Sequence, residues 1–155
     1  MKRISIFIIV LLAVVWGACA QDYTITTAGQ EKNGQYYVTV TTVLDKKQNK
    51  AALDWLVRLA VDGVMFRGVD GTGGYPSQQP LVKDPSAKQL KAEFFDAFYN
   101  EQQYKNYSSL ERESVSVTKL PKKKFEVSGR VTVDKERLLA FLSKAGIVKS
   151  FDDLW

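Results

Sequence analysis

Alternation of apolar and polar residues at period two is the feature that most constrains the fold of this chain. Gln35–Leu44 (QYYVTVTTVL) alternates and is rich in aromatic and β-branched residues, which predicts a half-buried strand. Glu113–Leu120 and Lys124–Asp134 alternate in the same way around Pro121–Lys123, which predicts an antiparallel hairpin. Each of these strands has one apolar face, and another layer must cover it.

A second hairpin is predicted near the start of the chain. Asp22–Ala28 is a short alternating run with Tyr23 and Ile25 on one face, and Asn33-Gly34 is a strong turn signal before the next strand. In the later hairpin, Gly129 lies on the apolar face, where it would mark a bulge or leave room for a bulky helix residue.

Helices are predicted to cover the apolar face. Ala51–Phe66 is apolar at nearly every position except Asp54, Arg58 and Asp62, which form one polar stripe on a helix. The rest of the helix surface is apolar, so we expect a central helix that is buried. The predicted order of elements is β-β-α-α-β-β-α. It indicates a two-layer α+β fold, in which helices pack on one face of a mainly antiparallel sheet and residues 21–155 form a single domain.

The other two helices are predicted from their caps. Ser86 opens a capping box before a helix from Ala87 to about Gln103, and Asp134 caps Lys135–Ala145. Tyr104–Glu111 is mixed and polar, and we expect a connector there. The residues expected on the buried side of the Ala87–Gln103 helix are Leu90, Phe94, Phe95, Ala97, Phe98 and Tyr99.

The N-terminus has the pattern of an export signal. Lys2 and Arg3 precede the apolar run Ile4–Val15, and small residues follow it. The run has 12 residues, whereas a membrane-spanning helix needs about 20. We therefore expect residues 1–20 to be a signal peptide, the mature chain to have no transmembrane span, and the protein to be periplasmic or associated with the outer membrane.

Two cleavage sites are compatible with this signal. Ala18 and Ala20 form an A-x-A site for cleavage after Ala20, which we favour. Cleavage before a lipidated Cys19 is the alternative. Gly17 and Ala18 suit a lipoprotein signal, whereas Trp16 stands where such signals usually carry leucine.

Composition narrows the chemistry of the mature chain. The chain has no histidine and its one cysteine is Cys19, so cleavage after Ala20 leaves neither imidazole nor thiol. Ser-His-Asp and Cys-His catalysis are then excluded, and we expect no metal site and no cofactor. Removal of Lys2 and Arg3 leaves 20 basic and 17 acidic residues, a balance too mild to predict a nucleic-acid partner.

The glycine-rich stretch Arg67–Pro76 (RGVDGTGGYP) lacks the context of a phosphate-binding loop. No Gly-Lys-Ser/Thr follows it. A dinucleotide fingerprint follows a strand and opens a helix, whereas this stretch follows a helix and leads into a loop. We interpret Gly68 as the left-handed end of the first helix, and the remaining glycines as a turn.

Four lysines are the first candidate for binding. Lys122, Lys123 and Lys124, with Lys119 nearby, form a basic cluster at the tip of the predicted hairpin. In an envelope protein such a cluster could contact anionic lipid headgroups or polysaccharide. Alternatively, it solvates a tight turn and discourages pairing at the edge of the sheet.

Aromatic and acidic residues supply the other candidates. Tyr104 and Tyr107 are not explained by helical periodicity, and they could line a carbohydrate or peptide groove. Paired carboxylates are the remaining option for catalysis. Alternatively, the same residues are solvated surface acids with no catalytic role. The two pairs are Asp70 with Asp84 and Glu93 with Asp96.

Three segments together resemble a group of uncharacterised secreted or periplasmic proteins of Bacteroidetes. The segments are LVRLAVDGVMFRGV, FFDAFYNEQQYKNY and VTVDKERLLAFLSKAGIV. The order of elements is similar, more distantly, to that of small periplasmic lipoproteins and of the N-terminal domain of the flagellar assembly protein T. The resemblance implies a location in the cell envelope, and it implies no particular chemistry or site residue.

These observations predict an exported, non-catalytic module that binds or scaffolds another envelope component, either a protein, a glycan or an anionic lipid surface. The alternative is a small hydrolase that acts on glycans through carboxylates. A third possibility is an assembly partner that adds a strand at an exposed sheet edge. The absence of imidazole and thiol from the mature chain favours the non-catalytic module, for which we predict no catalytic residue.

Overall fold

A computed structural model of the protein describes residues 22–45 and 50–149. The predicted α+β fold is confirmed: the described residues contain four strands and four α-helices. The strands are β1 (Tyr23–Thr27), β2 (Gln35–Leu44), β3 (Ser108–Leu120) and β4 (Lys124–Asp134). The helices are α1 (Lys50–Asp62), α2 (Ala87–Leu90), α3 (Ala92–Asn100) and α4 (Lys135–Lys144). The predicted signal peptide and Cys19 lie outside the described residues.

The four strands form one antiparallel sheet in the order β1-β2-β4-β3. Val38 of β2 lies opposite Val131 of β4, and Ile25 of β1 lies opposite Val40. The alternation of each strand therefore places its apolar residues on one face, as predicted. Buried side chains on that face are Tyr23, Ile25, Tyr36, Val38, Val40, Val127, Val131 and Val133.

The central helix α1 packs on this face. Leu56 is completely buried, and a Cβ atom added to Gly129 of β4 would lie 3.2 Å from its Cδ1 atom. The predicted role of Gly129 in leaving room for a bulky helix residue is thus confirmed. The α-helix ends at Asp62 and continues as one turn of π-helix, Gly63–Arg67, whereas the sequence predicted an α-helix to Phe66.

The glycine-rich stretch is a helix exit that also covers an edge of the sheet. Gly68 has φ of +79°, and a Cβ atom there would lie 2.5 Å from the backbone oxygen of Gln78, so only glycine fits. Beyond it, the Asp70 backbone nitrogen donates to the Ile25 oxygen at 3.1 Å, and Thr27 donates to the Asp70 oxygen at 2.9 Å. The loop therefore pairs with β1 along its outer edge.

The prediction of one continuous helix from Ala87 to about Gln103 is wrong. The helix breaks at Lys91 into α2 and α3, and a 3₁₀ turn follows at Gln103–Tyr107. In α3, the side chains of Phe95, Phe98 and Tyr99 are buried, as predicted. Leu90, predicted to be buried, is 75% exposed.

The capping box at Ser86 is also wrong. The Ser86 side chain makes no capping hydrogen bond; its backbone nitrogen and Oγ instead donate to Asp84 Oδ1, at 2.9 and 2.6 Å. The cap of α4 is confirmed, because Asp134 Oδ1 accepts from the Arg137 nitrogen at 3.1 Å. A hydrogen bond from a backbone nitrogen of the first turn to the aspartate side chain is typical of an Asp N-cap.

The strand β3 begins at Ser108, inside the segment predicted to be a connector. A bulge interrupts its alternation: Glu111 lies opposite Arg130 and Ser116 lies opposite Ser128, so four residues of β3 face Gly129 alone. The bulge therefore lies in β3, opposite Gly129, and not in the strand that contains the glycine. Beyond the bulge, Val117 is 37% exposed rather than buried, because it lies at the margin of the core.

Candidate functional site

The predicted lysine cluster lies at the β3–β4 turn and is exposed. We call Lys119, Lys122, Lys123 and Lys124 the basic tip. Lys124 forms an ion pair with Asp45 at 3.3 Å, and both side chains are at least half exposed, so the pair leaves most of the charge available. The tip is therefore a convex, positively charged projection.

The backbone of the basic tip is in a conformation that lysine disfavours. Lys122 has φ of +63° and Lys123 has φ of +59°. The other hairpin of the chain has two consecutive positive φ values as well, and there the residues are Asn33 and Gly34. Asparagine and glycine tolerate this region, whereas other residues lose about 1–2 kcal/mol each. The tip thus retains two lysines at positions where the β1–β2 hairpin has low-strain residues. Gln102, which follows α3, also has positive φ, at +57°, but it stands alone and carries no charge.

The predicted tyrosines lie in the core, away from the basic tip. Tyr104 is 5% exposed, and Tyr107 is half-buried against Phe98 and Phe141, with ring centroids 6.3 and 5.4 Å away. Tyr107 directly precedes Ser108, which pairs with Val133 at the end of the ladder opposite to the tip. The structure therefore does not bring the tyrosines and the lysines into one site.

The predicted carboxylate pairs are exposed on the surface. Asp70 belongs to the loop that pairs with β1, and Glu93 and Asp96 lie on the outer side of α3. The two hydrogen bonds from Ser86 lower the pKa of the exposed Asp84 carboxyl. A general acid needs a raised pKa, so this shift is in the direction that disfavours proton donation near neutral pH.

A buried polar cluster around Asp62 was not predicted. The Asp62 side chain, 19% exposed at the end of α1, accepts from the hydroxyls of Tyr23 and Tyr99 at 3.1 and 2.9 Å. Lys88 Nζ completes the set at 2.8 Å. The carboxylate thus joins β1, α1, α2 and α3 directly before the π-helical turn.

Two arginines contact the tyrosine rings of this cluster. The Arg58 guanidinium lies 4.5 Å from the centre of the Tyr99 ring, and the Arg67 guanidinium lies 4.3 Å from that of Tyr23. Arg67 also donates to the Tyr23 backbone oxygen at 2.9 Å. The sequence gives one signal, the spacing of Arg58 and Asp62 on one helix face, but both tyrosines come from distant segments.

The phenols of the cluster are donors and not bases. Burial, followed by the charge of Asp62, raises the pKa of both Tyr23 and Tyr99 far above the usual value near 10. A protonated phenol can hold a carboxylate in place, but it cannot abstract a proton at neutral pH. The cluster therefore stabilises the fold and fixes the end of α1.

These raised pKa values predict a loss of stability at alkaline pH. Above about pH 10 the unfolded chain releases the Tyr23 and Tyr99 protons while the folded chain retains them, so stability falls as pH rises, by up to about 1.4 kcal/mol per pH unit for each tyrosine. Urea unfolding at a series of pH values measures this slope. The double variant Tyr23→Phe/Tyr99→Phe should show a shallower decline, and equal slopes in both proteins would contradict the assignment.

Within residues 22–45 and 50–149, no cluster of three or more acidic, histidine or cysteine side chains is arranged to hold a metal ion. In the same part of the chain, no helix has the length and apolar character required to cross a membrane. Comparison with protein-family models, with curated proteins and with solved structures gives no match.

Proposed function

We propose that this chain is an exported, non-catalytic binding module that docks on an anionic membrane surface through the basic tip. The observation that carries the proposal is the pair of lysines at positive φ. Non-glycine residues held in such conformations concentrate at sites of function. Here two exposed charges are retained at the turn of a hairpin despite the strain.

The surroundings of the tip favour a lipid surface over a polysaccharide. Val117 lies on the same face of β3 as Lys119 and is 37% exposed. Apolar side chains beside lysines suit the boundary between headgroups and acyl chains, and lysines attract anionic lipids by charge alone. A polysaccharide has no acyl-chain layer in which the exposed valine could be buried.

The remaining parts of the proposal rest on the sequence. Export is supported by the pattern of residues 1–20. This pattern is compatible both with cleavage after Ala20 and with cleavage before a lipidated Cys19. Non-catalytic function is supported by the lack of imidazole and thiol in the mature chain. The hydrolase alternative gains no support, because Asp84 has a lowered pKa.

A single substitution tests the role of the tip. Lys122→Gln should weaken binding to vesicles of phosphatidylglycerol and phosphatidylcholine by about fivefold, because each lysine near an anionic surface contributes about 1 kcal/mol. Co-sedimentation with vesicles measures the change. Lys91→Gln, which removes an exposed lysine between α2 and α3, is the matched control and should bind normally.

Two results would contradict membrane docking at the tip. One is equal binding of the unmodified chain to vesicles of phosphatidylcholine alone, since the attraction would then not depend on anionic lipid. The other is equal loss of binding in Lys122→Gln and Lys91→Gln, since net charge and not the tip would then decide the affinity.

A further inference from the structure

The face of the sheet opposite the helices carries a depression of about 300 Å³. It extends from the β1–β2 connection across β2 and β4 to β3. The side chains that line it with polar or aromatic groups are Gln30, Lys32, Tyr37, Glu111, Arg130 and Thr132. This volume is at the lower end of the range for small-molecule sites, about 300–1,000 Å³, and suits one ring-sized unit.

The register of the sheet brings these groups together. Tyr37 lies directly opposite Thr132, and Arg130 lies directly opposite Glu111. Residues that are opposite each other in adjacent strands lie about 5 Å apart on one face. The phenol ring and the Thr132 hydroxyl therefore form the floor, and the Arg130–Glu111 pair forms the side nearest β3.

The Arg130–Glu111 pair is held in a fixed geometry. Arg130 Nε lies 2.9 Å from Glu111 Oε2, and Nη2 lies 3.1 Å from Oε1, so the two planar groups meet through two parallel contacts. The bulge locks the backbone beneath them: Ser114 Oγ accepts from the Arg130 nitrogen at 2.7 Å and donates to the Glu111 oxygen at 2.6 Å. Bulges commonly orient side chains at sites.

The Tyr37 ring is half-buried with one side toward the depression. Gly29 lies beside it, and a Cβ atom added to Gly29 would be 3.6 Å from Tyr37 Cβ and 3.9 Å from the ring atom Cδ2. A side chain at position 29 would therefore contact the base of the ring, and glycine leaves that part of the ring uncovered.

We infer that this depression binds a hexopyranose unit of a glycan. A sugar ring presents an apolar face to an aromatic ring and adjacent hydroxyls that both donate and accept hydrogen bonds. Arg130 supplies donors, Glu111 supplies acceptors, and Gln30 supplies both. The Arg130–Glu111 pair has no net charge, and Lys32 at the β1–β2 end of the depression supplies a further donor for sugar hydroxyls. The inference is independent of the basic tip.

Nuclear magnetic resonance titration with cellohexaose, maltohexaose and mannohexaose tests the inference on the full mature chain. We expect at least one of the three to shift the resonances of Tyr37 and Arg130 with a dissociation constant of about 1 mM or below. Tyr37→Ala and, separately, Arg130→Gln should each weaken that binding at least about tenfold. Tyr75→Ala, at a ring 41% exposed in the glycine-rich loop, is the control and should bind normally.

The variants also separate this inference from membrane docking. Tyr37→Ala should bind anionic vesicles normally, and Lys122→Gln should bind the hexasaccharide normally. Spectra of each variant report whether it is folded. The inference is overturned if none of the three probes shifts the resonances of the depression at about 10 mM, well above the expected dissociation constant, or if folded Arg130→Gln binds as tightly as the unmodified chain.

Discussion

A chain in which Asp62 is replaced by alanine is expected to have a free energy of unfolding about 2–4 kcal/mol lower than that of the unmodified chain. The substitution removes the carboxylate that accepts from the hydroxyls of Tyr23 and Tyr99, and each buried phenol would lose this partner. Lys88 contributes little to this loss, because its side chain is 49% exposed and regains water.

Chemical denaturation measures the effect, and Asp96→Ala is the matched control. Asp96 is an exposed acid on α3, so its removal should change stability by less than about 0.5 kcal/mol. A double-mutant cycle of Asp62→Ala with Tyr99→Phe should give a coupling of about 1 kcal/mol or more. If Asp62→Ala were as stable as Asp96→Ala, the cluster would not hold the end of α1.

The sheet could be predicted because its burial is one-sided. In Gln35–Leu44 and Lys124–Asp134 every second residue faces the core, so a period of two in the sequence reports the environment directly. The start of β3 could not be predicted in this way. The bulge opposite Gly129 breaks the period, and the pairing of Ser108–Glu111 becomes visible only in the register with β4.

The aromatic side chains of α3, which follows the break at Lys91, pack against distant segments. Phe95 meets Phe66 with ring centroids 5.0 Å apart, and Phe94 stacks on Phe141 at 5.4 Å. Helical periodicity within residues 87–103 carries no information about these partners. Local spacing predicted that Phe95, Phe98 and Tyr99 are buried, but it did not predict the break before α3 or the exposure of Leu90.

The two candidate sites differ in how far apart their residues lie in the chain. The basic tip could be predicted because its lysines are adjacent in the chain, but their positive φ values could not, since lysine rarely adopts them. In the Asp62 cluster, Tyr99 is 37 positions and Tyr23 is 39 positions away from Asp62 in the chain. No local spacing reports such a contact, so the cluster emerges only from the packed fold.

Exchange of the strained turn for the relaxed one is expected to separate stability from binding. Lys122→Asn/Lys123→Gly gives the β3–β4 turn the residues that occupy the positive φ positions of the β1–β2 hairpin, Asn33 and Gly34. The free energy of unfolding should rise by about 1–2 kcal/mol, since the strain of two left-handed lysines is removed and only part is lost to glycine entropy. Affinity for anionic vesicles should fall about 30-fold with the loss of two charges.

The most direct test of membrane docking by the basic tip is therefore one paired measurement on this double variant, urea unfolding together with co-sedimentation on phosphatidylglycerol-containing vesicles. Our account predicts a more stable protein that binds the vesicles more weakly. A double variant that is more stable and binds as tightly as the unmodified chain would contradict it, because the lysines would then hold a strained turn without serving an anionic surface.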